Sequence, residues 1–179
     1  LNMYTLGFDS NKKLAPLSSA LKQNLKTYLS QFRMVTDAIN IKDAYVINLG
    51  INFSIITKSN FNKNDVLLRC IATVQDFFDV DRWQIGQPII LTDIVYELSL
   101  VDGVATIVPV EENNLNNLPI NVVCKHRTSE GYSGNFYDIN NSIRGGILYP
   151  ALDPSIFEIK YPNIDINGKV LGNNQGVTE

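Results

Sequence analysis

From Ile39 onward the odd positions read Ile39, Ile41, Asp43, Tyr45, Ile47, Leu49, Ile51, Phe53 and Ile55, eight apolar residues in nine. The even positions between them hold Asn40, Lys42, Asn48, Gly50, Asn52 and Ser54, with Ala44 and Val46 as exceptions. A period of two belongs to a β-strand with one buried and one wet face; on a helix the same letters would scatter around the cylinder. At roughly 3.3 Å per residue the run to Thr57 would extend over about 50 Å, far beyond a typical strand. A bend or bulge is therefore expected, best placed at Gly50, where a missing side chain makes a break cheap. The pattern predicts a long sheet member whose greasy face other elements must cover.

Helical spacing brackets this strand. Leu17, Leu21, Leu25, Tyr28 with Leu29, and Phe32 recur on one face, with Lys22, Gln23 and Lys26 on the other. With Pro16 as a first helical position, they predict an amphipathic helix over 15–34 and a turn at Val35–Asp37. After a loop at Asn60–Asn64, Asn64 or Asp65 caps a second helix running to near Val80. Its Leu67, Cys70, Ile71, Val74, Phe77 and Phe78 follow three–four spacing. Gly86, Gln87 and Pro88 form a turn. Thr92 or Asp93 then caps a third helix that buries Ile94, Val95, Leu98 and Val101, with Gly103 in the left-handed position past its end. Strands at Val104–Val110 and Ile120–Cys124 flank the polar loop Glu111–Leu118. The fold class is α+β, with helices packed on one face of a mixed or antiparallel sheet and an irregular C-terminal extension.

Residues 1–14 read as a polar tail and 15–128 as the α+β core domain. The chain changes character after about Thr128: seven of eleven glycines and three of seven prolines fall beyond Glu130. The aromatic and aliphatic groups there come in isolated clumps, and no periodic stretch is long enough to build its own core. Residues 129–171 therefore read as an extended strap laid on a neighbouring subunit, and 172–179 as a tail. Phe136, Tyr137, Ile147, Leu148, Tyr149, Ile156, Phe157 and Tyr161 are its expected interface anchors.

Composition narrows the function. A 45% hydrophobic, 18% charged chain of 179 residues is ordinary for a globular protein. A net charge of −3 argues against phosphate-driven nucleic-acid binding, and no apolar run approaches the length of a membrane span. Cys70 and Cys124 sit inside apolar patterns, as buried free thiols do. The start at Leu1, without an initiator Met, implies a fragment or a processed product. His126, the one histidine, is flanked by Lys125 and Arg127 and reads as a surface residue at a strand end. Asp76, Asp79 and Asp81 lack the alternating ligands, glycine and closing Glu of a calcium loop, and read as solvated carboxylates at a helix terminus. The Gly-rich Ser129–Asn135 lacks the lysine and following helix of a phosphate cradle and reads as a mobile loop. Trp83 reads as a plug at the end of the second helix. No nucleophile, base and oxyanion stabiliser assemble, and neither catalytic, metal nor cofactor residues are expected.

Two stretches resemble a family. Ile85-Gly86, Asp93-Ile94 and Glu97-Leu98-Ser99-Leu100-Val101-Asp102-Gly103-Val104 resemble a helix-to-strand passage of baseplate J-like proteins from contractile phage tails. Gly146-Ile147-Leu148-Tyr149-Pro150, the run from Asp153 to Pro162, and Asp165 to Val170 are similar to the carboxy-terminal end of the larger baseplate wedge subunit of those phages. The opening helix, Val35-Thr36-Asp37 and the long strand also suit that family, so the likeness covers most of residues 15–171. It implies a structural part of a virion tail baseplate, assembled in the host cytoplasm. Such a part pairs with itself as a homodimer or higher ring and with other wedge proteins, linking wedges around the tail hub. The alternative is a small enzyme or ligand-binding domain with its pocket beneath the C-terminal segment.

Overall fold

The computed structural model describes residues 2–32, 38–109 and 121–172. In chain order the strands are β1 Asn2–Thr5, β2 Gly7–Phe8, β3 Leu14–Ala15, β4 Asn40–Asp43, β5 Tyr45–Thr57, β6 Ile89–Ile90, β7 Val104–Val108, β8 Val122–His126, β9 Ile143–Arg144, β10 Ile147–Leu148, β11 Ser155–Glu158 and β12 Ile166–Leu171. The helices are α1 Ser19–Ser30, α2 Lys63–Phe77, α3 Leu91–Leu100, α4 Ile139–Ser142 and α5 Pro162–Asp165, with a 3-10 turn at Val80–Arg82. The fold is α+β. Its centre is a mixed five-stranded sheet in which every other strand pairs with β5.

β5 is long enough to hold two strands end to end on each edge. β11 and then β12 run parallel to it, Ser155 opposite Tyr45 and Ile166 opposite Ile51. β8 and then β7 run antiparallel on the other edge, His126 opposite Leu49 and Val108 opposite Ser54. The backbone alternation separates the edges: Tyr45 N–H donates to Pro154, whereas the Asn48 carbonyl accepts from Arg127. The break in the long extended run falls at Ala44, between β4 and β5, and not at Gly50, through which β5 continues.

The odd face of β5 builds the core. Ile47, Leu49, Ile51, Phe53 and Ile55 pack with Val66, Cys70 and Val74 of α2 and with Ile94 and Leu98 of α3. Each such side chain, fully buried, stabilises by about 1.5–3 kcal/mol. α2 starts earlier than expected: Asn62, not Asn64 or Asp65, is the cap, its Oδ1 accepting from Asn64 N–H at 2.9 Å. α3 starts at Leu91 with Ile90 at its cap, not Thr92 or Asp93, and no side chain caps it; Leu91 N–H donates to the Gly146 carbonyl across the fold. Gly103 takes the left-handed conformation at φ +97°, as its position past α3 requires.

The even face is not wet. Val46, Asn48, Gly50 and Ser54 are buried as well, because residues 129–135 and the β2–β3 hairpin lie over part of that face. Residues 129–171 are likewise not a strap on a neighbour: β11 and β12 are strands of the central sheet, and β9–β10 pairs with β6. Residues 2–14 are not a frayed tail, since β1 pairs in parallel with β4 and β2 pairs with β3. The third expected strand begins at Val122 and runs on to His126. Val35–Asp37, the loop 111–118 and residues 173–179 lie outside the described residues.

Candidate functional site

The even face of β5 carries a buried polar cluster, arranged in rows across the sheet. In the first row Gly50 pairs with Lys125 of β8, with Asp165 next before β12 on the other edge, and Arg127, which lies opposite Asn48, sends its side chain diagonally over Gly50. A Cβ on residue 50 would meet Arg127 Nε at 2.6 Å, so the missing side chain is what lets the guanidinium cross the strand. Arg127 Nε reaches Asp165 Oδ1 at 3.2 Å as an ion pair, although its N–H makes no hydrogen bond. Asp165 is fully buried. It accepts from Tyr132 Oη at 2.6 Å and from the Tyr161 amide at 2.9 Å, and the Tyr132 ring meets Tyr161 edge-on. Burial, and then the hydrogen bond to Asp165, push the Tyr132 hydroxyl up to about 12.

The next row pairs Asn48 with Glu158. Asn48 Nδ2 donates to Glu158 Oε2 at 2.9 Å, and the Leu14 amide donates to Glu158 Oε1 at 2.8 Å. Asn48 Oδ1 accepts in turn from the Ser133 amide at 2.8 Å. One row further, the Val46 carbonyl accepts from Ser133 Oγ and Asn135 Nδ2. Ser129–Asn135 is thus not a mobile loop. It is fastened along the β5 edge beyond the end of β8, its side chains standing in for strand backbone. A cleft of about 790 Å³ opens beside this row, between the N-terminal elements and Ser133, Asn135 and Lys160.

His126 is half-buried at the end of β8, its ring edge-on to Phe136 and its Nε2 without a partner among the described residues. Burial pushes Cys124 up to about 12; it also pushes Cys70 up to about 11 against the opposing pull of Arg69. Both are buried free thiols. Asp79 caps the 3-10 turn by accepting from the Asp81 amide. No group of three metal-ligating side chains occurs among the described residues. Trp83 stacks on Phe78 with ring centres 5.5 Å apart and donates to the Phe77 carbonyl, closing the end of α2.

No protein-family model matches this chain, and no curated protein matches it. Among the described residues no helix is long and apolar enough to cross a membrane.

The expected interface anchors divide. Leu148, Ile156 and Phe157 are buried in the chain's own fold and present nothing to a neighbour. Two-sided burial explains them: all four residues of β11 are covered. Tyr137 and Ile147 are half-buried, and Tyr137 Oη donates to the Tyr149 carbonyl. Phe136 at 84%, Tyr149 and Tyr161 are exposed. Sequence reasoning missed a larger apolar surface because it took that surface for core. α1 is amphipathic, yet none of its residues is buried. Leu21, Tyr28 and, just past its end, Phe32 are each more than half exposed, and Leu25 and Leu29 are half-buried. Leu152 stands fully in solvent.

Proposed function

We propose that this chain is a structural, self-associating module, the carboxy-terminal part of a contractile-tail baseplate wedge protein, whose work is to join wedges around the tail hub. The observation that carries the reading is the uncovered apolar stripe of α1. A 12-residue helix is marginal without tertiary burial, and this one buries no residue within its own chain. A second copy laid along Leu21, Leu25, Tyr28 and Phe32 would supply the missing cover; Phe136, Tyr149 and Leu152 are further exposed apolar groups. The stretches that resemble the wedge family adjoin in space, Gly86 N–H donating to the Ser155 carbonyl at 2.8 Å. No catalytic role enters this reading.

Sedimentation velocity of the whole chain against the double variant Leu21→Ser/Tyr28→Ser tests it. The unaltered chain should gain mass as its concentration rises through tens of micromolar, and the variant should stay monomeric with the same circular dichroism. A parent that remains monomeric throughout that range contradicts the reading.

The ligand-binding alternative has one observation in its favour, the 790 Å³ cleft, whose volume suits a small molecule. Its most buried polar groups, Asn48 and Glu158, are bonded to each other and to backbone amides. Assembly is the better-supported reading.

A further inference from the structure

The N-terminal elements stand apart from the core. None of the described residues 2–32 is buried; of 38–43 Ile39 is, but the main core cluster draws on no residue before Ile47. The backbone passes from one part to the other at Ala44: Ala44 N–H donates to the Thr5 carbonyl, ending the β1–β4 ladder, and Tyr45 N–H donates to Pro154, beginning the body. Within the arm, Asp43 accepts from the Leu17 amide and pairs with Lys22 at 2.5 Å, tying α1 to β4. Asp9 accepts from the Asn11 and Lys13 amides and so fixes the tip of the β2–β3 hairpin.

That hairpin sits between two open clefts. The 790 Å³ cleft lies on the side of β5 and Ser133. A second, of about 510 Å³, separates Phe8, Lys12 and Lys13 from the α2 end with Asp76, Asp79 and Asp81. Opposite charges thus line one cleft, and no ion pair within 4 Å joins them among the described residues. Between the clefts the hairpin is held by the bond from Leu14 N–H to the buried Glu158 carboxylate. One such hydrogen bond holds a segment without fixing it permanently.

We infer that residues 2–32 and 38–43 form an arm, hinged at Ala44, that lifts off the body and redocks, with Glu158 as its catch and the lysine–aspartate cleft as its guide. Docked, the arm covers Glu158. Lifted, it exposes that carboxylate to water and carries α1 with it. The inference concerns motion within one chain and stands whether or not the chain self-associates.

The test is a distance distribution between spin labels at Asn11→Cys and Gln75→Cys, on opposite walls of the smaller cleft. The native thiols are buried, and dilution with unlabelled protein keeps the distances within one chain. The parent should show a docked population and a longer-distance minority. Raising salt from about 0.05 M to about 0.5 M, which screens exposed charge, should enlarge the minority a few-fold. In Glu158→Gln one neutral acceptor meets two donors, so either Leu14 loses its partner or, after an Asn48 flip, Leu14 keeps only a neutral acceptor while Ser133 loses its own; both weaken the catch, and the lifted fraction should rise a few-fold. Leu14→Pro removes the donor and leaves Glu158 intact, and should do the same should Glu158→Gln fail to fold. A single narrow distance in the parent, unmoved by salt and by Leu14→Pro, overturns the proposal.

Discussion

Asn48 and Glu158 lie 110 positions apart in the chain and within 2.9 Å of each other, both sealed from water. Through them the hairpin, β5, β11 and the 129–135 segment share one hydrogen-bonded chain, from Leu14 N–H to Glu158, from Asn48 to Glu158, and from Ser133 N–H to Asn48. A buried carboxylate held by neutral donors depends on every one of them, because a lost donor leaves charge undersolvated in a medium that does not replace it.

Asn48→Leu should therefore destabilise the chain by about 2–4 kcal/mol, since it strips one donor from Glu158 and the acceptor from Ser133. Urea unfolding measures this as a lowered midpoint with an unchanged slope. An unchanged midpoint would mean that water replaces both bonds.

Gly50→Ala should cost more than an exposed strand position would. The new methyl lifts Arg127 off the strand and leaves the fully buried Asp165 without its cation. We expect a loss of about 3 kcal/mol, as for breaking a buried pair. In an Arg127→Met background the same change should cost at least about 1 kcal/mol less, because the pair is already gone. Additive losses in the double-mutant cycle would contradict the crossing.

Tyr132 should ionise late. Its folded hydroxyl sits near 12 against an ordinary value of 10, so the folded state holds its proton where the unfolded state has lost it. The stability tied to this group is complete below pH 10 and declines as pH rises from 10 to 12. A phenolate absorbance titration should show a late-ionising component that is absent in Tyr132→Phe.

Removing residues 129–172 should unfold the chain. It takes β11 and β12 from one edge of β5 and Leu148, Phe157 and Ile166 from the core. Far-ultraviolet circular dichroism of the truncated chain should show lost structure, and a soluble folded remnant would contradict the topology.

The legible parts of the sequence were those where the two faces carry different chemistry. The stripe of α2 and the odd positions of β5 announce themselves, because one face meets the core and the other meets something different. β11 is covered on both faces, which erases the alternation that marks a strand. Asn48, Glu158 and Asp165 are letters of a wet face, and only cover from distant parts of the chain makes them interior. Gly50 reads as a weak point in a strand; its use is to let an arginine pass over. α1 has the pattern of a core helix and no core beneath it, so its letters announced an apolar contact without naming the surface that supplies it.

Hydrogen exchange of the α1 amides, followed as the concentration of the unaltered chain is raised, tests the assembly reading most directly. A short helix with no buried residue should exchange rapidly in dilute solution and become protected at high concentration, while amides of β5 stay protected throughout. Exchange in α1 that is the same at every concentration would contradict it.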